Sequence, residues 1–515
     1  MNITDAVLGP ALARGQENDA AILSTGGTVT FGQLAERVNR AGNVFTAAGI
    51  GRGERVLLLV TDRPEFFYIY LGLLKIGAVP VALNLRLSAG DIAFTIDDAA
   101  CTGFVLEAQF ADLFTEAAAM AASKPAAFSV DAPMDGYGHI PALMDAASTE
   151  LASVLSAPDD PGFWMYSSGT TGKPKGVVHC QRTALDAKHM LGQLMEVGPG
   201  DRVFASSKLF FAFSLAHVMI ATLNLGAAAI LYPDWPDAEA VGDIVETYRP
   251  TILLSVPTFY RNMLREGVAK GDGFKDVRYY LSAGEKLPRT LFDAWQDATG
   301  RPVLEGIGAT ETCFLFLANR PDRMSPGTCG VPTPGTEVKI LAQDGGPEIA
   351  PGEAGVLWVR MGCVAQGYWN LEQRSAAVFK DGWYCTNDMF SIDEGGFYEY
   401  QGRADDMLKI SGQWVSPAEI EERVLANPLV DEAAVVGVPN EDGLIRLALF
   451  MVAPGAGADT VQFEKELQDD LCENLSIYKC PRRMFYLDEM PLTATGKLQR
   501  FALRDIAINS DLGAA

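Results

Sequence analysis

Positive charge is scarce in this chain. Its 515 residues include 41 lysines and arginines against 65 aspartates and glutamates, which gives a formal net charge of −24 at pH 7. This balance disfavours nucleic acids and anionic membrane surfaces as partners, because both bind proteins through clusters of basic residues. An anionic ligand would have to be held by a local group of positive charges.

Histidine and closely spaced cysteine are scarce as well. The chain has four histidines, and its eight cysteines are scattered without a C-x-x-C pair. A zinc site is therefore not expected. Scattered, unpaired cysteines are typical of proteins in a reducing compartment.

Apolar runs of membrane-spanning length are also missing. The two most apolar stretches, 66–85 and 210–232, are interrupted by residues such as Lys75 and Pro80 in the first and His217 in the second. Buried strands and helices explain such stretches better than a membrane span. Neither end of the chain resembles a secretory or peroxisomal signal. We therefore expect a cytoplasmic protein without a membrane partner.

Most of the chain alternates between apolar strands and segments of helical length. Predicted strands cover 55–60, 78–83, 203–205, 228–231, 251–254 and 279–283. Continuous apolar strands that alternate with helices are typical of parallel sheets covered on both faces. An early helix is expected to begin after Thr30, which is a good N-cap residue.

The sequence changes character twice towards its C-terminus. After about residue 325, short strands separated by glycine and proline predict a smaller antiparallel sheet. Beyond residue 405, a helix capped by Ser416 and strands at 433–438 and 448–452 predict a small α+β unit. We therefore predict an α/β protein with a large N-terminal domain, residues 1–404, and a small C-terminal domain, residues 405–515.

Residues 166–176 read Tyr-Ser-Ser-Gly-Thr-Thr-Gly-Lys-Pro-Lys-Gly and are the most informative segment. Glycines let the backbone approach a ligand closely, hydroxyl and backbone N–H groups donate hydrogen bonds, and lysines add positive charge. A lone Gly/Ser/Thr run is as often a flexible polar loop. Here strand-like residues flank the segment on both sides, which favours a phosphate-binding loop.

This segment resembles the signature loop of the adenylate-forming superfamily, which includes acyl- and aryl-CoA ligases, luciferases and the adenylation domains of peptide synthetases. It is not the nucleotide P-loop pattern, because Pro174 follows Lys173 where that pattern has Ser or Thr. The resemblance implies binding of ATP and AMP. It gives that role to Ser167, Ser168, Gly169, Thr170, Thr171 and Lys175.

Two further glycine-containing segments match the same family. Residues 306–311 read Gly-Ile-Gly-Ala-Thr-Glu, and the resemblance implies that Thr310 contacts a phosphate oxygen while Glu311 holds Mg²⁺. A carboxylate suits this hard cation. Ile307 stands where the family often has an aromatic residue. Around the adenine the resemblance places Ala283, Gly284, Glu285, Ile307 and Gly308.

Two motifs near the domain boundary extend the resemblance. Residues 383–388 read Trp-Tyr-Cys-Thr-Asn-Asp and resemble the family's Tyr-x-Thr-Gly-Asp, in which the aspartate, here Asp388, binds the ribose hydroxyls. Asn387 replaces the glycine, and asparagine tolerates left-handed backbone angles. The resemblance also implies that Arg403 contacts ribose or phosphate and that Asp405 is the hinge of a mobile C-terminal domain.

The last motif reads Thr-Ala-Thr-Gly-Lys-Leu-Gln-Arg at 493–500. By resemblance Lys497 is the catalytic lysine that stabilises charge as the carboxylate attacks the α-phosphate of ATP. Thr310, Glu311 and Lys497 form the expected catalytic group. After adenylation, rotation of the C-terminal domain would present another face, including Ser411 and Gly412, to coenzyme A. ATP, Mg²⁺ and coenzyme A are the implied cofactors.

The acid to be activated is predicted from the resemblance to the benzoate-CoA ligase group, which is strongest in residues 208–214 and 282–285. The expected acyl pocket comprises Phe210, Phe213, Ala283, Gly306, Ile307 and Phe314. Phe213 and Phe314 stand where benzoate-CoA ligases can carry Tyr and His, so we expect an apolar pocket that prefers unsubstituted or alkyl-extended acids over hydroxybenzoates. An amino acid is not expected, because Ala212 replaces the aspartate that pairs with an amine.

Several alternatives stay open on the sequence alone. The acid could be a non-aromatic cyclic acid or a short or branched aliphatic acid. The protein could also be a luciferase-like oxygenase or a nucleotide-binding homologue without catalysis, although Glu311 and Lys497 speak against the last. A small carboxylic acid is the expected partner, and the protein is expected to be a monomer or a homodimer.

Overall fold

The structure is a computed structural model that describes residues 1–168, 174–342, 346–404, 406–410, 413–439, 445–456, 460–476, 479–492 and 498–512. Seven of the residues with predicted roles lie outside these ranges, and their roles stay predictions. They are Gly169, Thr170, Thr171, Asp405, Ser411, Gly412 and Lys497.

The described strands and helices are bounded as follows. The strands are β1 (Ala20–Ser24), β2 (Gly27–Thr30), β3 (Arg55–Leu59), β4 (Val79–Ala82), β5 (Gly103–Leu106), β6 (Ala126–Ser129), β7 (Gly138–His139), β8 (Pro161–Ser168), β9 (Pro174–Cys180), β10 (Arg202–Ala205), β11 (Ala228–Ile230), β12 (Ile252–Ser255), β13 (Tyr279–Ser282), β14 (Val303–Gly308), β15 (Leu315–Ala318), β16 (Val331–Pro332), β17 (Glu337–Leu341), β18 (Gly355–Arg360), β19 (Gly367–Tyr368), β20 (Phe379–Lys380), β21 (Trp383–Ile392), β22 (Tyr398–Arg403), β23 (Leu408–Ile410), β24 (Gln413–Val415), β25 (Glu432–Pro439), β26 (Ile445–Val452) and β27 (Arg483–Tyr486). The helices are α1 (Ile3–Ala13), α2 (Phe31–Ala47), α3 (Pro64–Lys75), α4 (Ala89–Asp98), α5 (Ala111–Met120), α6 (Ile140–Ala146), α7 (Ala212–Ser214), α8 (Thr222–Leu225), α9 (Ala238–Tyr248), α10 (Pro257–Arg265), α11 (Arg289–Thr299), α12 (Glu372–Val378), α13 (Pro417–Leu425), α14 (Thr460–Asn474) and α15 (Arg500–Leu512).

Two large sheets dominate the first part of the chain. One has the strand order β19-β9-β8-β4-β3-β5-β6-β7, and the other has the order β16-β15-β14-β13-β12-β10-β11-β1-β2. Neighbouring strands from β8 to β7 in the first sheet, and from β14 to β1 in the second, are parallel. Strands β4, β5 and β12 are buried along their whole length, as their apolar sequences predict. The predicted mostly parallel sheets are confirmed.

A helix cap and a buried aromatic core show how the sequence determines local structure and packing. Thr30 caps α2 through a reciprocal pair of hydrogen bonds with Gln33, so the predicted helix start is confirmed. One face of the nine-stranded sheet packs on a core centred on Trp295, whose ring lies 4.6 Å from that of Tyr260 and 5.1 Å from that of Tyr280. This buried aromatic group fixes α10 and α11 against the strands that lead to the candidate site.

The predicted antiparallel sheet is present as well. Strands β17, β18, β20, β21 and β22 form a five-stranded sheet, in which β20–β21 and β21–β22 are antiparallel pairs. The fold class predicted from the sequence is therefore confirmed for both sheet types. In the described residues, no helix is long and apolar enough to cross a membrane.

The chain divides into two compact units. The first comprises Met1–Val338 and Trp358–Cys385, and the second comprises Lys339–Leu357 and Thr386–Ala515. The boundary predicted at residues 404 and 405 stays a prediction.

The second unit contains the predicted small α+β fold. Strands β25, β26 and β27 form a sheet in which β25–β26 is antiparallel and β26–β27 is parallel. Alternate residues of β25 face opposite sides, so Val435 packs with α13 and α14 while Ala434 and Val436 pack with α15. Ser416 is the N-cap residue of α13, as predicted, but its hydroxyl donates to the Gln401 carbonyl oxygen and caps no helix N–H.

Candidate functional site

Three side chains from distant parts of the sequence meet in the first unit. Lys175 lies on β9, Glu311 lies in the loop between β14 and β15, and Tyr368 lies on β19. The Lys175 ammonium donates to Glu311 Oε1 at 2.8 Å and to the Tyr368 hydroxyl oxygen at 3.0 Å. The Tyr368 hydroxyl donates to Glu311 Oε1 at 2.8 Å. The pairing of β9 with β19 places Tyr368 beside this ion pair.

Burial and charge together fix the protonation of this group. Burial by itself raises the pKa of the Glu311 carboxyl, but the charge of Lys175 and the hydrogen bonds from Lys175 and Tyr368 outweigh it. The pKa of Glu311 therefore falls from its usual 4.5 to about 2. Burial and the charge of Glu311 raise the pKa of the Tyr368 phenol. At neutral pH the site contains an ionised carboxylate with two donors.

The carboxylate keeps one oxygen for other ligands. Both donors bind Glu311 Oε1, so neither Lys175 nor Tyr368 occupies Oε2. The described residues also contain no group of three or more His, Cys, Asp or Glu side chains placed to hold a metal ion. A single carboxylate can still hold Mg²⁺ when water and substrate phosphate oxygens supply the other ligands. The residues present therefore fit a nucleotide-bound magnesium ion.

The loop that carries Thr310 and Glu311 is held from several sides. A Cβ atom at Gly308 would lie 2.9 Å from the Phe314 carbonyl oxygen, so the turn requires glycine there. The buried Thr312 hydroxyl donates to the Phe314 carbonyl oxygen at 2.9 Å. His179 on β9 lies 2.8 Å through Nε2 from the Thr310 carbonyl oxygen. Because a carbonyl only accepts, Nε2 carries the proton, and the loop is fixed to β9.

The segments predicted to surround adenine lie side by side. Strands β13 and β14 are parallel neighbours with Ser282 opposite Glu305. Residues 283–285 follow the carboxyl end of β13, and residues 307–311 comprise the carboxyl end of β14 and the start of the next loop. Crevices at that edge are the usual ligand sites of parallel sheets. Gly284 has φ +91° in the turn. Ala283 is buried, whereas Glu285 is exposed and its Oε2 accepts hydrogen bonds from the backbone N–H and hydroxyl of Thr258.

The aromatic residues predicted for the acyl pocket form two separate sets of ring contacts. Phe213 and Phe314 both contact His217, with ring centroids 5.3 Å and 5.5 Å from the imidazole. Phe210 instead contacts Phe211 at 4.4 Å and Trp235 at 6.1 Å. Gly306 and Ile307 pair with the opposing strand β15, and a Cβ at Gly306 would lie 2.8 Å from the Leu315 side chain.

The predicted ribose site lies in the second unit. Arg403 Nη1 donates to Asp388 Oδ1 at 2.9 Å and to the Thr386 carbonyl oxygen at 3.0 Å, and the two charged residues are register partners on β21 and β22. Asn387 has φ +57°, so the expected left-handed backbone is confirmed. The Thr386 hydroxyl accepts from the Asp388 N–H and donates to the Leu357 carbonyl oxygen. These contacts fix the Asp388 backbone beside Arg403.

Only the edges of the signature loop are described. Ser167 on β8 pairs with Lys175 on β9, and Ser168 pairs with Pro174. The Ser167 hydroxyl is buried and has no hydrogen-bond partner in the part of the chain that the structure describes. Ser167 and Lys175 therefore bracket the loop at the carboxyl end of β8.

Sequence reasoning missed three residues of this site. Tyr368 and His179 lie in apolar strands, and nothing in their local pattern indicates a link to Glu311. For His217 a signal was present, since it follows Phe213 by four residues in a helical segment and such residues share one face. The chain between α7 and α8 is a π-helical segment, Leu215–Ala221, which is a form found often at functional sites.

Comparisons with known proteins identify the family of this chain. The family model for AMP-binding enzymes matches residues 11–369, and that for the AMP-binding enzyme C-terminal domain matches residues 419–497. The 3-hydroxybenzoate–CoA ligase of Aromatoleum sp. (strain CIB) is 47% identical over 506 residues, which cover 98% of this chain and 97% of the relative. The 3-hydroxybenzoate–CoA/4-hydroxybenzoate–CoA ligase of Thauera aromatica is 44% identical, with 98% and 97% covered.

A solved structure shows the same fold. The crystal structure of the anthranilate CoA ligase AuaEII in complex with anthranoyl-AMP matches with a TM-score of 0.91 and 31% identity, covering 98% of this chain and 97% of that one. The predicted resemblance to the adenylate-forming superfamily is thereby confirmed. This chain belongs to the family of AMP-binding enzymes, with both the AMP-binding part and the C-terminal domain present.

Proposed function

We propose that the protein is an AMP-forming acid–CoA ligase that activates an aromatic carboxylic acid of the benzoate class with ATP. The similarity to two ligases for hydroxybenzoates over nearly the whole chain carries this proposal. The ionised Glu311 beside Lys175, at the carboxyl ends of parallel strands, supports it from the geometry. ATP and coenzyme A are the co-substrates.

The reaction has two steps because a carboxylate is a poor electrophile. A carboxylate oxygen attacks the α-phosphorus of ATP, the bond to the β-phosphate oxygen breaks, and pyrophosphate leaves. The acyl-adenylate then carries AMP as a good leaving group. The sulfur of coenzyme A attacks the acyl carbon, the bond to AMP breaks, and the thiol proton passes to solvent. No covalent bond to the protein is needed.

The phosphate end of the nucleotide is assigned to the first unit. Lys175 would supply positive charge, Thr310 would donate to a phosphate oxygen, and Glu311 would hold Mg²⁺ together with water and phosphate oxygens. The bound cation would neutralise charge that develops on the phosphates. By the same assignment Ser167, Ser168, Gly169, Thr170 and Thr171 would bind the phosphates, and Lys497 would stabilise the developing charge during adenylation.

We assign the remaining nucleotide contacts to the residues that the sequence analysis named. Ala283, Gly284 and Glu285 would line one side of the adenine, and Ile307 and Gly308 the other. In the second unit, Asp388 would accept hydrogen bonds from the two ribose hydroxyls. Arg403 donates a hydrogen bond to Asp388. Arg403 would also contact a ribose or phosphate oxygen.

We propose a cytoplasmic enzyme whose small-molecule partner is the aromatic acid. A monomeric or homodimeric state stays a prediction. The hinge at Asp405 and the coenzyme A contact at Ser411 and Gly412 stay predictions as well. No contact in the described residues favours an oxygenase or a non-aromatic acid over the ligase.

Release of pyrophosphate tests the proposal. The purified protein is given Mg·ATP and one acid at a time, with and without coenzyme A, across benzoate, hydroxybenzoates, cyclohexanecarboxylate, cinnamate and short aliphatic acids. We expect pyrophosphate release with aromatic acids, and AMP and thioester formation in equal amounts when coenzyme A is present. Thioester formation from aliphatic but not aromatic acids would contradict the assignment.

Two matched variants locate the reaction at this site. Glu311→Gln removes the charge that holds the cation, and pyrophosphate release is expected to fall by about a hundredfold or more. Glu36→Gln makes the same change on an exposed turn of α2, where Glu36 pairs with Arg40, and should leave the rate unchanged. Equal rates in the two variants would place the nucleotide elsewhere.

A further inference from the structure

His217 is a fully buried histidine in an aromatic setting. It lies in the π-helical segment between α7 and α8, and its relative exposure is 0%. Its ring makes edge contacts with Phe213 and Phe314, at interplanar angles of 61° and 71°. Both phenylalanines belong to the proposed acyl pocket, so the imidazole packs against two residues of that pocket.

The hydrogen bond of His217 fixes its tautomer. Nδ1 lies 2.8 Å from the Phe213 carbonyl oxygen, which can only accept. Nδ1 therefore carries the proton, and in a neutral imidazole Nε2 is then an acceptor with a lone pair. Burial lowers the pKa of His217 to about 4, which keeps the ring neutral at physiological pH.

The acceptor nitrogen is unsatisfied within the described part of the chain. Nε2 is buried and has no hydrogen-bond partner there. Buried polar atoms are nearly always hydrogen-bonded, and each exception calls for an explanation. A helix residue that serves packing alone would be better apolar, since burying an unpaired acceptor weakens folding.

We propose that Nε2 of His217 accepts a hydrogen bond from the ring hydroxyl of the substrate, so that the enzyme selects 3-hydroxybenzoate over benzoate. This inference rests on the proposed function, because it assumes that Phe213 and Phe314 line the acyl pocket. Two relatives with 3-hydroxybenzoate in their names, at 47% and 44% identity, agree with the choice of substrate. It reverses the sequence-based expectation that hydroxybenzoates are poor substrates.

Because the unprotonated Nε2 of His217 only accepts hydrogen bonds, it distinguishes substrates by whether their ring substituent carries a donor hydrogen. A phenolic O–H can donate to Nε2, whereas a methoxy group and a fluorine cannot. Benzoate leaves Nε2 buried and unpaired, and a site built to hydrogen-bond a hydroxyl rejects analogues that lack it. The pocket therefore gains specificity from one atom while its other walls stay apolar.

The wild-type enzyme provides the first test. We expect kcat/KM for 3-hydroxybenzoate to exceed the values for benzoate, 3-fluorobenzoate and 3-methoxybenzoate by about ten- to a hundredfold. Turnover of 3-methoxybenzoate or benzoate as efficient as that of 3-hydroxybenzoate would overturn the proposal. This comparison needs no variant, so a folding defect cannot obscure it.

The second test measures the ratio of kcat/KM for 3-hydroxybenzoate to that for benzoate within each variant. His217→Phe keeps an aromatic ring without an acceptor, and the ratio is expected to fall by about ten- to a hundredfold. His217→Gln restores an acceptor oxygen and should recover part of the preference. A wild-type ratio in His217→Phe would overturn the proposal, and so would equal ratios in the two variants.

A matched control makes the same substitution far from the pocket. His139 lies on β7, five strands from β8 in the same sheet, and His139→Phe should leave both rates and their ratio unchanged.

Failure of the proposed function itself would give a different result from failure of this inference. In that case the wild-type enzyme would release no pyrophosphate with either benzoate or 3-hydroxybenzoate, whereas failure of this inference leaves both acids active with similar efficiency.

Discussion

The ion pair between Lys175 and Glu311 makes a quantitative prediction about stability. Their side chains are 13% and 7% exposed, with Nζ and Oε1 2.8 Å apart. Lys175→Met keeps most of the volume and removes the charge. It leaves a buried carboxylate with Tyr368 as its remaining donor among these three residues.

The magnitude follows from the pKa of Glu311. The fall from 4.5 to about 2 corresponds to about 3 kcal/mol of stability from this group. This contribution is fully present above pH 4.5 and is lost as pH falls towards 2, because the folded-state pKa is the lower one. Without Lys175, burial raises the pKa of Glu311 instead, so the variant is expected to be relatively most stable in acid. At pH 7 we expect a loss of about 3 to 5 kcal/mol.

Calorimetry at several pH values measures this effect. For a unit of roughly 360 residues, an entropy of unfolding near 2.1 cal/mol/K per residue converts 3 kcal/mol into a fall in Tm of about 4 °C. The difference in Tm between wild type and variant should shrink from pH 7 to pH 4.5. The double variant with Glu311→Gln should recover most of the lost stability, because no buried charge then lacks its partner.

A matched substitution separates burial from pairing. Lys275 is 76% exposed and also pairs at 2.8 Å, with Asp272, so Lys275→Met should lower Tm far less than Lys175→Met does, because water screens the exposed pair. Equal losses in Lys175→Met and Lys275→Met, without dependence on pH, would refute the reasoning. A further loss on adding Glu311→Gln would refute it too.

Three other predictions concern the reaction. Lys497→Ala should abolish pyrophosphate release but keep thioester formation from supplied acyl-adenylate, and equal loss of both would disprove its assigned role. Asp405→Pro should spare adenylation and slow thioester formation at least tenfold, because proline restricts φ, and normal coenzyme A turnover would place the hinge elsewhere. His179→Phe should keep the stacking on Phe163 but lose the bond to the Thr310 carbonyl oxygen, and raise KM for ATP about tenfold. An unchanged KM for ATP would show that His179 does not position this loop.

The sequence by itself determined much of the architecture. Apolar strands such as Arg55–Leu59 and Ile252–Ser255, and the N-cap at Thr30, depend on residues close together in the chain. The left-handed Asn387 is also a local property of its residue type. Signature segments with fixed spacing are local too, so the family could be read from the sequence, and Lys175, Thr310 and Glu311 could be named as candidate site residues. Ser416 is the exception, since its hydroxyl binds Gln401 on another strand instead of its own helix.

The tertiary structure alone decided which residues meet. Tyr368 reaches Glu311 because β19 pairs with β9, a contact between residues 57 positions apart that no local pattern encodes. The pKa of Glu311 depends on that meeting, since burial and Lys175 act on it in opposite directions. His217 was visible in the sequence as an interruption of an apolar run. Only the tertiary structure brings Phe314 against its ring and makes it a buried acceptor, because burial and the loss of water arise when distant segments come together.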